Sequence, residues 1–227
     1  MSRTPLHEHV TIEWLHDTEW VYAPSQDRSR KGLQKILLAA KELFLANGYD
    51  ETTITQISKK SGVSVGSIYH RFPDKQSILY AVLESYRRAR FAQLAEMTRE
   101  EFWRDKGPLE VLDFHIEIIF SSARNDPGIT RMIERQRSVN PVIQDMQNDW
   151  NEHVCTVLTT LYQPHADLIA RPDIGKAVRY VHNIIRGSAL WVVVSAPPGN
   201  DFLKLEDEEY QQEAFLMAAG YLGLQPV

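Results

Sequence analysis

Thr52-Thr53-Ile54-Thr55-Gln56-Ile57-Ser58-Lys59-Lys60-Ser61-Gly62-Val63-Ser64-Val65-Gly66-Ser67-Ile68-Tyr69-His70-Arg71-Phe72-Pro73-Asp74-Lys75 is the stretch that decides the fold. Thr53 precedes Ile54 and Ile57, a hydroxyl placed to cap a short helix whose apolar side those two residues supply. Gly62 breaks that helix, because glycine enters the left-handed conformation without steric cost. Ser64 then caps a second short helix carrying Val65, Ile68, Tyr69 and Phe72, and Pro73 stops it. Two short helices joined by a glycine turn spell a helix-turn-helix. The first (53–61) braces the second (64–72), which enters a DNA major groove by its N-terminal end. Val65, Gly66 and Ser67 are small and allow close approach to base edges. Tyr69 reaches a phosphate or a base, and Lys75, opening the next helix, is placed to hold a phosphate.

Upstream, Leu33, Ile36, Leu37, Ala40, Leu43 and Phe44 recur along one helical face, and Gly48 closes that helix. Downstream, Asp74 suits a helix N-terminus, and Ile78, Leu79, Val82, Leu83 and Tyr86 continue the pattern to about position 97. Helices then follow proline and Asx signals at 107–124, 126 onward with Asp126 as cap, 140–162 and 171–195, with a last one at 206–223. No alternating strand pattern of useful length and no internal repeat interrupts them. The fold expected is all-α with about nine helices: an arm over 1–28, a helix-turn-helix domain over 29–89 and a helical ligand-binding and dimerisation domain over 90–227.

Charge supports that division. The chain of 227 residues has a formal net charge of −5. Residues 28–75 nevertheless carry nine Lys/Arg against four Asp/Glu, a net +5, which leaves −10 for the remainder. A basic domain joined to an acidic one is the electrostatic footprint of nucleic-acid binding. Residues 1–27 hold one base (Arg3) against five acids, with Trp14, Trp20 and Tyr22 among them.

Other classes lose ground. No apolar run approaches the roughly 18 residues that mark a membrane span, and the N-terminus lacks a secretory pattern. Cys155 is the lone cysteine, so neither an intrachain disulfide nor a zinc site is expected, and the setting expected is cytoplasmic. There is no phosphate-cradling glycine loop, nucleophile elbow, metal-ligand motif or cofactor fingerprint, so no catalytic residue, metal or cofactor is assigned. An all-α enzyme is the distant alternative.

Over about residues 29–89 the chain resembles the tetracycline-repressor-like (TetR) transcriptional regulators. The resemblance rests on Leu43-Phe44-Leu45-Ala46-Asn47-Gly48-Tyr49, Thr52-Thr53-Ile54, Ile57-Ser58, Ser61-Gly62-Val63-Ser64, Gly66-Ser67-Ile68-Tyr69 and Phe72-Pro73-Asp74-Lys75. It implies that Thr53, Tyr69 and Lys75 hold the DNA backbone and that Thr55, Val65, Gly66 and Ser67 face base edges, with Ser64 and His70 beside them. Arg71 stands where many members have a phosphate-binding histidine, and His70 one place earlier. The resemblance further implies a homodimer whose last two helices pair with those of a second subunit. Val181, Ile185, Ala189, Val192, Phe215, Ala218 and Leu222 are the candidate interface. Trp103, Phe114, His115, Ile118, Met132, Met146, Trp150, His153, Tyr180 and Trp191 are candidates for lining a pocket, since aromatics with a few polar groups suit an apolar or aromatic effector. His182 and Arg186, four apart, suit an anion or an interface. The function expected is an effector-responsive repressor bound to an inverted-repeat operator in double-stranded DNA. The alternative is a regulator gated by a protein partner.

Overall fold

The computed structural model describes residues 20–21, 27–195, 204 and 207–225. Among these it is all-α, with ten α-helices, one 3-10 turn and one π turn. The chain divides into two compact units, 1–93 and 94–227.

In the first unit, α1 (Asp27–Asn47) packs against α2 (Ile54–Ser61). Leu33, Ile36, Leu37 and Ala40 are sealed from solvent, as the helical periodicity requires. Ile57, Ile68, Phe72, Ile78 and Leu79 close the same core from α2, α3 (Val65–Tyr69), the following turn and α4 (Lys75–Met97). Each such side chain contributes about 1.5–3 kcal/mol on burial, so this small unit is held by its core, not by surface pairs such as Lys60–Glu42.

Helix α3 is shorter than the 64–72 expected from sequence. Its regular part ends at Tyr69, and the chain continues through a turn in which the Arg71 and Phe72 amides both donate to the Ile68 carbonyl at 2.9 Å. Pro73 accounts for this, since a residue preceding proline is driven out of the helical region.

Of the arm, Trp20 and Val21 are described. Val21 is buried, and the Trp20 ring lies 5.3 Å from that of Tyr80 on α4. The remainder of residues 1–26 lies outside the described residues.

The second unit contains α5 (Glu100–Trp103), α6 (Pro108–Asn125), α7 (Pro127–Arg137), α8 (Pro141–Tyr162), a 3-10 turn (Gln163–Leu168), α9 (Ile174–Leu190), a π turn (Trp191–Ser195) and α10 (Glu208–Leu222). Helices α6, α8 and α9 pack on one another, and α10 packs on α6. Proline begins α6, α7 and α8, where its missing N–H costs nothing. The Asn140 side chain accepts from the Val142 and Ile143 amides, and Asp173 accepts from Lys176, so both are caps. Asp126 differs from expectation: its carboxylate makes no capping bond to α7, and its backbone carbonyl accepts from the Thr130 amide instead. The helix expected over 171–195 relaxes into a π turn at Trp191, and α5 and the 3-10 turn are additions that four- and six-residue stretches do not announce by periodicity.

Candidate nucleic-acid interface

Two caps shape the surface formed by α2 and α3. Thr53 takes an extended backbone (φ −110°, ψ 155°), its hydroxyl accepts from the Gln56 amide at 3.2 Å, and Gln56 Oε1 accepts from the Thr53 amide at 2.7 Å. This reciprocal capping box fixes where α2 begins. Gln56, absent from the sequence-level candidates, is its second half; the signal is a threonine followed three residues later by glutamine. Thr52 is fully buried, and its hydroxyl donates to the Gly48 carbonyl at 2.7 Å.

Between the helices, Gly62 sits at φ +69° and its amide donates to the Ser58 carbonyl at 3.0 Å. A side chain would be strained there, so the turn requires glycine. The Ser58 hydroxyl donates to the Val63 carbonyl at 2.7 Å, tying the turn to α2. Ser64 caps α3: its Oγ accepts from the Ser67 amide at 3.2 Å and donates to the Ser67 Oγ at 2.9 Å.

These contacts leave a defined outward face. Ile68 points into the core, whereas Thr53, Thr55, Ser64, Val65, Gly66, Tyr69 and His70 are exposed and Ser67 is half-buried. Tyr69 is 51% exposed, so it is not a packing residue. A Cβ built on Gly66 would meet nothing within 4 Å. Gly66 is therefore dispensable for the fold, and what its missing side chain provides is room at the helix surface.

Two basic residues differ from their sequence reading. The Lys75 ammonium donates to the carbonyls of Tyr49, Asp50 and Thr52 at 2.8, 3.1 and 2.9 Å, and lies 4.3 Å from the Tyr49 ring centre. Its three donors are thus engaged on the loop after α1, and Lys75 works as a clamp on that loop. The backbone at this helix end is capped by Asp74, whose Oδ1 accepts from the Ser77 amide at 2.7 Å. Arg71 donates from Nη1 to the Ser67 carbonyl at 2.7 Å, and its guanidinium lies against α1 at Gly32, where a Cβ would stand 3.5 Å from Nη2. It braces α3 against α1.

In the second unit the candidate pocket residues separate. Ile118, Met132 and Trp150 are buried, Phe114, Met146 and His153 are half-buried, and Tyr180 and Trp191 are exposed by 52% and 46%. Trp103, half-buried, caps α4 by donating from its indole to the Met97 carbonyl at 2.9 Å, and its ring packs 4.8 Å from Phe114. His115 is fully buried, and its Nε2 lies 3.3 Å from Nδ1 of His182, itself 2% exposed. Desolvation first, and the neighbouring His182 second, hold the His115 pKa well below its ordinary value. His182 and Arg186 do not converge, because Arg186 donates to Glu134 on α7 at 2.8 Å.

The interface candidates are also redistributed. Val181, Ile185, Ala189, Ala218 and Leu222 are 1–3% exposed within the single chain, with Val192 and Phe215 half-buried. The five buried ones fill this unit's own core. The apolar residues left in solvent lie at the edge of the buried arc of α9 and its π turn, Tyr180, Ile184 and Trp191, and on the outer face of α10, Leu216 and Met217. Gly187 and Gly220 are exposed beside them.

Among the described residues no group of three or more His, Cys, Asp or Glu is placed to hold a metal ion. No described helix is long and apolar enough to cross a membrane.

Residues 36–82 match the family model described as "Bacterial regulatory proteins, tetR family". The chain is 29% identical over 137 residues to the HTH-type transcriptional repressor BepR of Brucella suis, covering 60% of this chain and 60% of that protein. It is 31% identical over 128 residues to the HTH-type transcriptional repressor AcnR of Corynebacterium glutamicum, covering 56% and 60%. The chain thus spans less than two thirds of the length of these curated relatives. Among solved structures, FadR of Bacillus subtilis in complex with stearoyl-CoA superposes with a TM-score of 0.61 at 21% identity, over 85% of this chain and 99% of that one. A transcriptional regulator from Saccharomonospora viridis in complex with choline gives 0.66 at 17% identity, over 85% and 97%. At these identities the structures speak for the fold.

Proposed function

We propose that this chain, which carries a tetR-family N-terminal domain, is an effector-responsive transcriptional repressor that binds an inverted-repeat operator as a homodimer. The observation that carries the reading is the exposed, small-residue end of α3, Ser64-Val65-Gly66, held by two capped helices with Gly66 open to solvent. Base edges are read there by Val65, Gly66 and Ser67 together with Thr55 on α2. The methyl groups of Val65 and Thr55 suit thymine methyls, and the absence of a long reading side chain places weight on DNA shape. Thr53, Tyr69 and His70 flank this face and position the backbone. Lys75 and Arg71 act on DNA indirectly, by holding the loop after α1 and the pitch of α3.

Dimerisation supplies the second half-site. Tyr180, Ile184 and Trp191 recur at helical spacing on α9 and its extension, with Leu216 and Met217 on α10. A patch of this kind on a helix pair is what a second copy of the chain buries, and Gly187 and Gly220 allow close helix approach. Two reading heads then meet half-sites roughly 34–36 Å apart or a related spacing. The effector acts through its differential affinity for the DNA-bound and free states, with an apolar or aromatic body suited to the α6–α9 core. Two solved neighbours are in complex with small molecules, choline and stearoyl-CoA, which supports an effector for this chain.

The test is sedimentation of the wild type and Ile184→Arg with gel shifts on the same samples. The wild type is expected to be a dimer at micromolar concentration that shifts DNA at low salt. Ile184→Arg is expected to be a folded monomer whose DNA affinity falls at least about tenfold, since a charge buried at the interface lacks a partner. A monomeric wild type, or a charged variant that still dimerises, contradicts the reading.

A further inference from the structure

We propose that His115 and Tyr162 form the polar end of the effector site, and that the effector presents an uncharged hydroxyl group there. This rests on the reading of the chain as an effector-responsive regulator and adds the chemistry its ligand must carry.

His115 on α6 and Tyr162 at the end of α8 are both fully buried. Their rings meet edge to face with centres 6.4 Å apart. Among the described residues, neither Nδ1 of His115 nor the Tyr162 hydroxyl has a hydrogen-bond partner. A buried polar atom without a partner keeps its desolvation penalty uncompensated. Leucine or phenylalanine in these places would fill the three-helix core of α6, α8 and α9 without that penalty. Two such atoms in neighbouring rings point to a guest that satisfies both.

The guest's chemistry follows from the donor and acceptor inventory. His115 Nε2 and His182 Nδ1 share one hydrogen bond, so one imidazole donates and the other accepts. If His115 donates through Nε2, its Nδ1 accepts; if it accepts, its Nδ1 donates. The Tyr162 hydroxyl does either. A hydroxyl on the guest matches both tautomers, whereas an ammonium, which only donates, or a carbonyl, which only accepts, matches one. Charge is disfavoured, because His115 is held neutral by burial and by His182, and burial raises the Tyr162 phenol further above its ordinary range. An anion or a cation would lack a counter-charge from either group.

The experiment uses 4-ethylphenol and ethylbenzene, probes that differ by one hydroxyl, on full-length wild type and Tyr162→Phe, a variant that removes one oxygen. Binding is read by calorimetry, stability by thermal unfolding, and DNA binding by gel shift on an operator selected from a random duplex library. The wild type is expected to bind 4-ethylphenol at least about tenfold more tightly than ethylbenzene. Tyr162→Phe is expected to lose that discrimination while keeping its affinity for ethylbenzene and for DNA. Its empty form is expected to unfold at the wild-type temperature or a few degrees above, because an unsatisfied oxygen has gone. Equal wild-type affinities, no binding of either probe, or discrimination retained in Tyr162→Phe overturns the site. So does a fall in the unfolding temperature of the empty variant, which shows the hydroxyl already satisfied by a buried water. Gel shifts keep the two proposals apart: a wild type that binds no duplex removes the regulator reading, whatever the probes show.

Discussion

Replacing Lys75 with methionine keeps the apolar stem and removes the ammonium. Three backbone carbonyls then lose a charged donor, those of Tyr49, Asp50 and Thr52, which had accepted at 2.8–3.1 Å. A hydrogen bond to a charged group contributes about 1.5–3 kcal/mol. The three bonds share one ammonium on a half-exposed side chain, and water replaces part of what is lost, so the sum is far from additive. The expected loss is about 2 kcal/mol, plus a few tenths from the cation–π contact with Tyr49. At roughly 4–8 °C per kcal/mol for a domain of this size, the first unit should unfold about 10 °C earlier. The effect on DNA has a different signature. A lysine that neutralises a phosphate contributes about 0.9 to the slope of log K against log salt. A lysine committed to carbonyls contributes little, so Lys75→Met should weaken binding with the slope nearly unchanged. Denaturation and salt-dependent fluorescence anisotropy on one preparation decide between the two. A slope reduced by about one unit with the unfolding temperature unchanged would refute the clamp and return Lys75 to the phosphate.

Gly66→Ala should leave stability unchanged or raise it by about 0.5–1 kcal/mol, because its Cβ meets open space, while Gly66→Glu should keep the fold and abolish specific DNA binding; a destabilised Gly66→Ala would contradict the outward placement. Gly223 ends α10 at φ +77°, and an added Cβ would overlap that of Ala170. Gly223→Ala should therefore cost at least about 2 kcal/mol in chemical denaturation, and a neutral result would refute the packing of the α10 end on Ala170. His115 supplies a pH dependence. Its folded-state pKa is depressed below 6.5, so below pH 6.5 the unfolded chain binds a proton that the folded chain does not. Stability then falls as pH drops, by up to about 1.4 kcal/mol per unit. His115→Leu should lose that component between pH 6.5 and 5.5, and identical pH profiles would show His115 to be solvated.

The helix-turn-helix was legible because its determinants are local. Thr53, Gly62, Ser64 and Pro73 each act on a neighbouring backbone group, and a short-range signal survives without knowledge of the rest of the chain. The roles of Lys75 and Arg71 were not legible, because their partners lie 23–26 residues away on the loop after α1 or across the unit at Gly32. A lysine at a helix start looks the same whether it faces a phosphate or a carbonyl cage. The faces of α9 and α10 were ambiguous for another reason. Apolar residues occupy one broad arc of α9, in which the buried Val181 and Ile185 lie next to the exposed Tyr180 and Ile184. Periodicity cannot say which stripe meets the chain's own core. The burial does, and it places Ile184 outward while Val181 and Ile185 turn in. His182 was read with Arg186 as suiting an anion or an interface, because their spacing suggested a shared face; packing against α6 sends it inward to His115.

If the capped α2–α3 pair reads DNA, two copies of the chain do so together on one duplex. Footprinting on an operator selected from a random duplex library tests it most directly, with Gly66→Glu as the control. Two protected half-sites related by an inverted repeat are expected, lost together in the control while its unfolding temperature is unchanged. A single unrepeated footprint, or protection that survives Gly66→Glu, would contradict it.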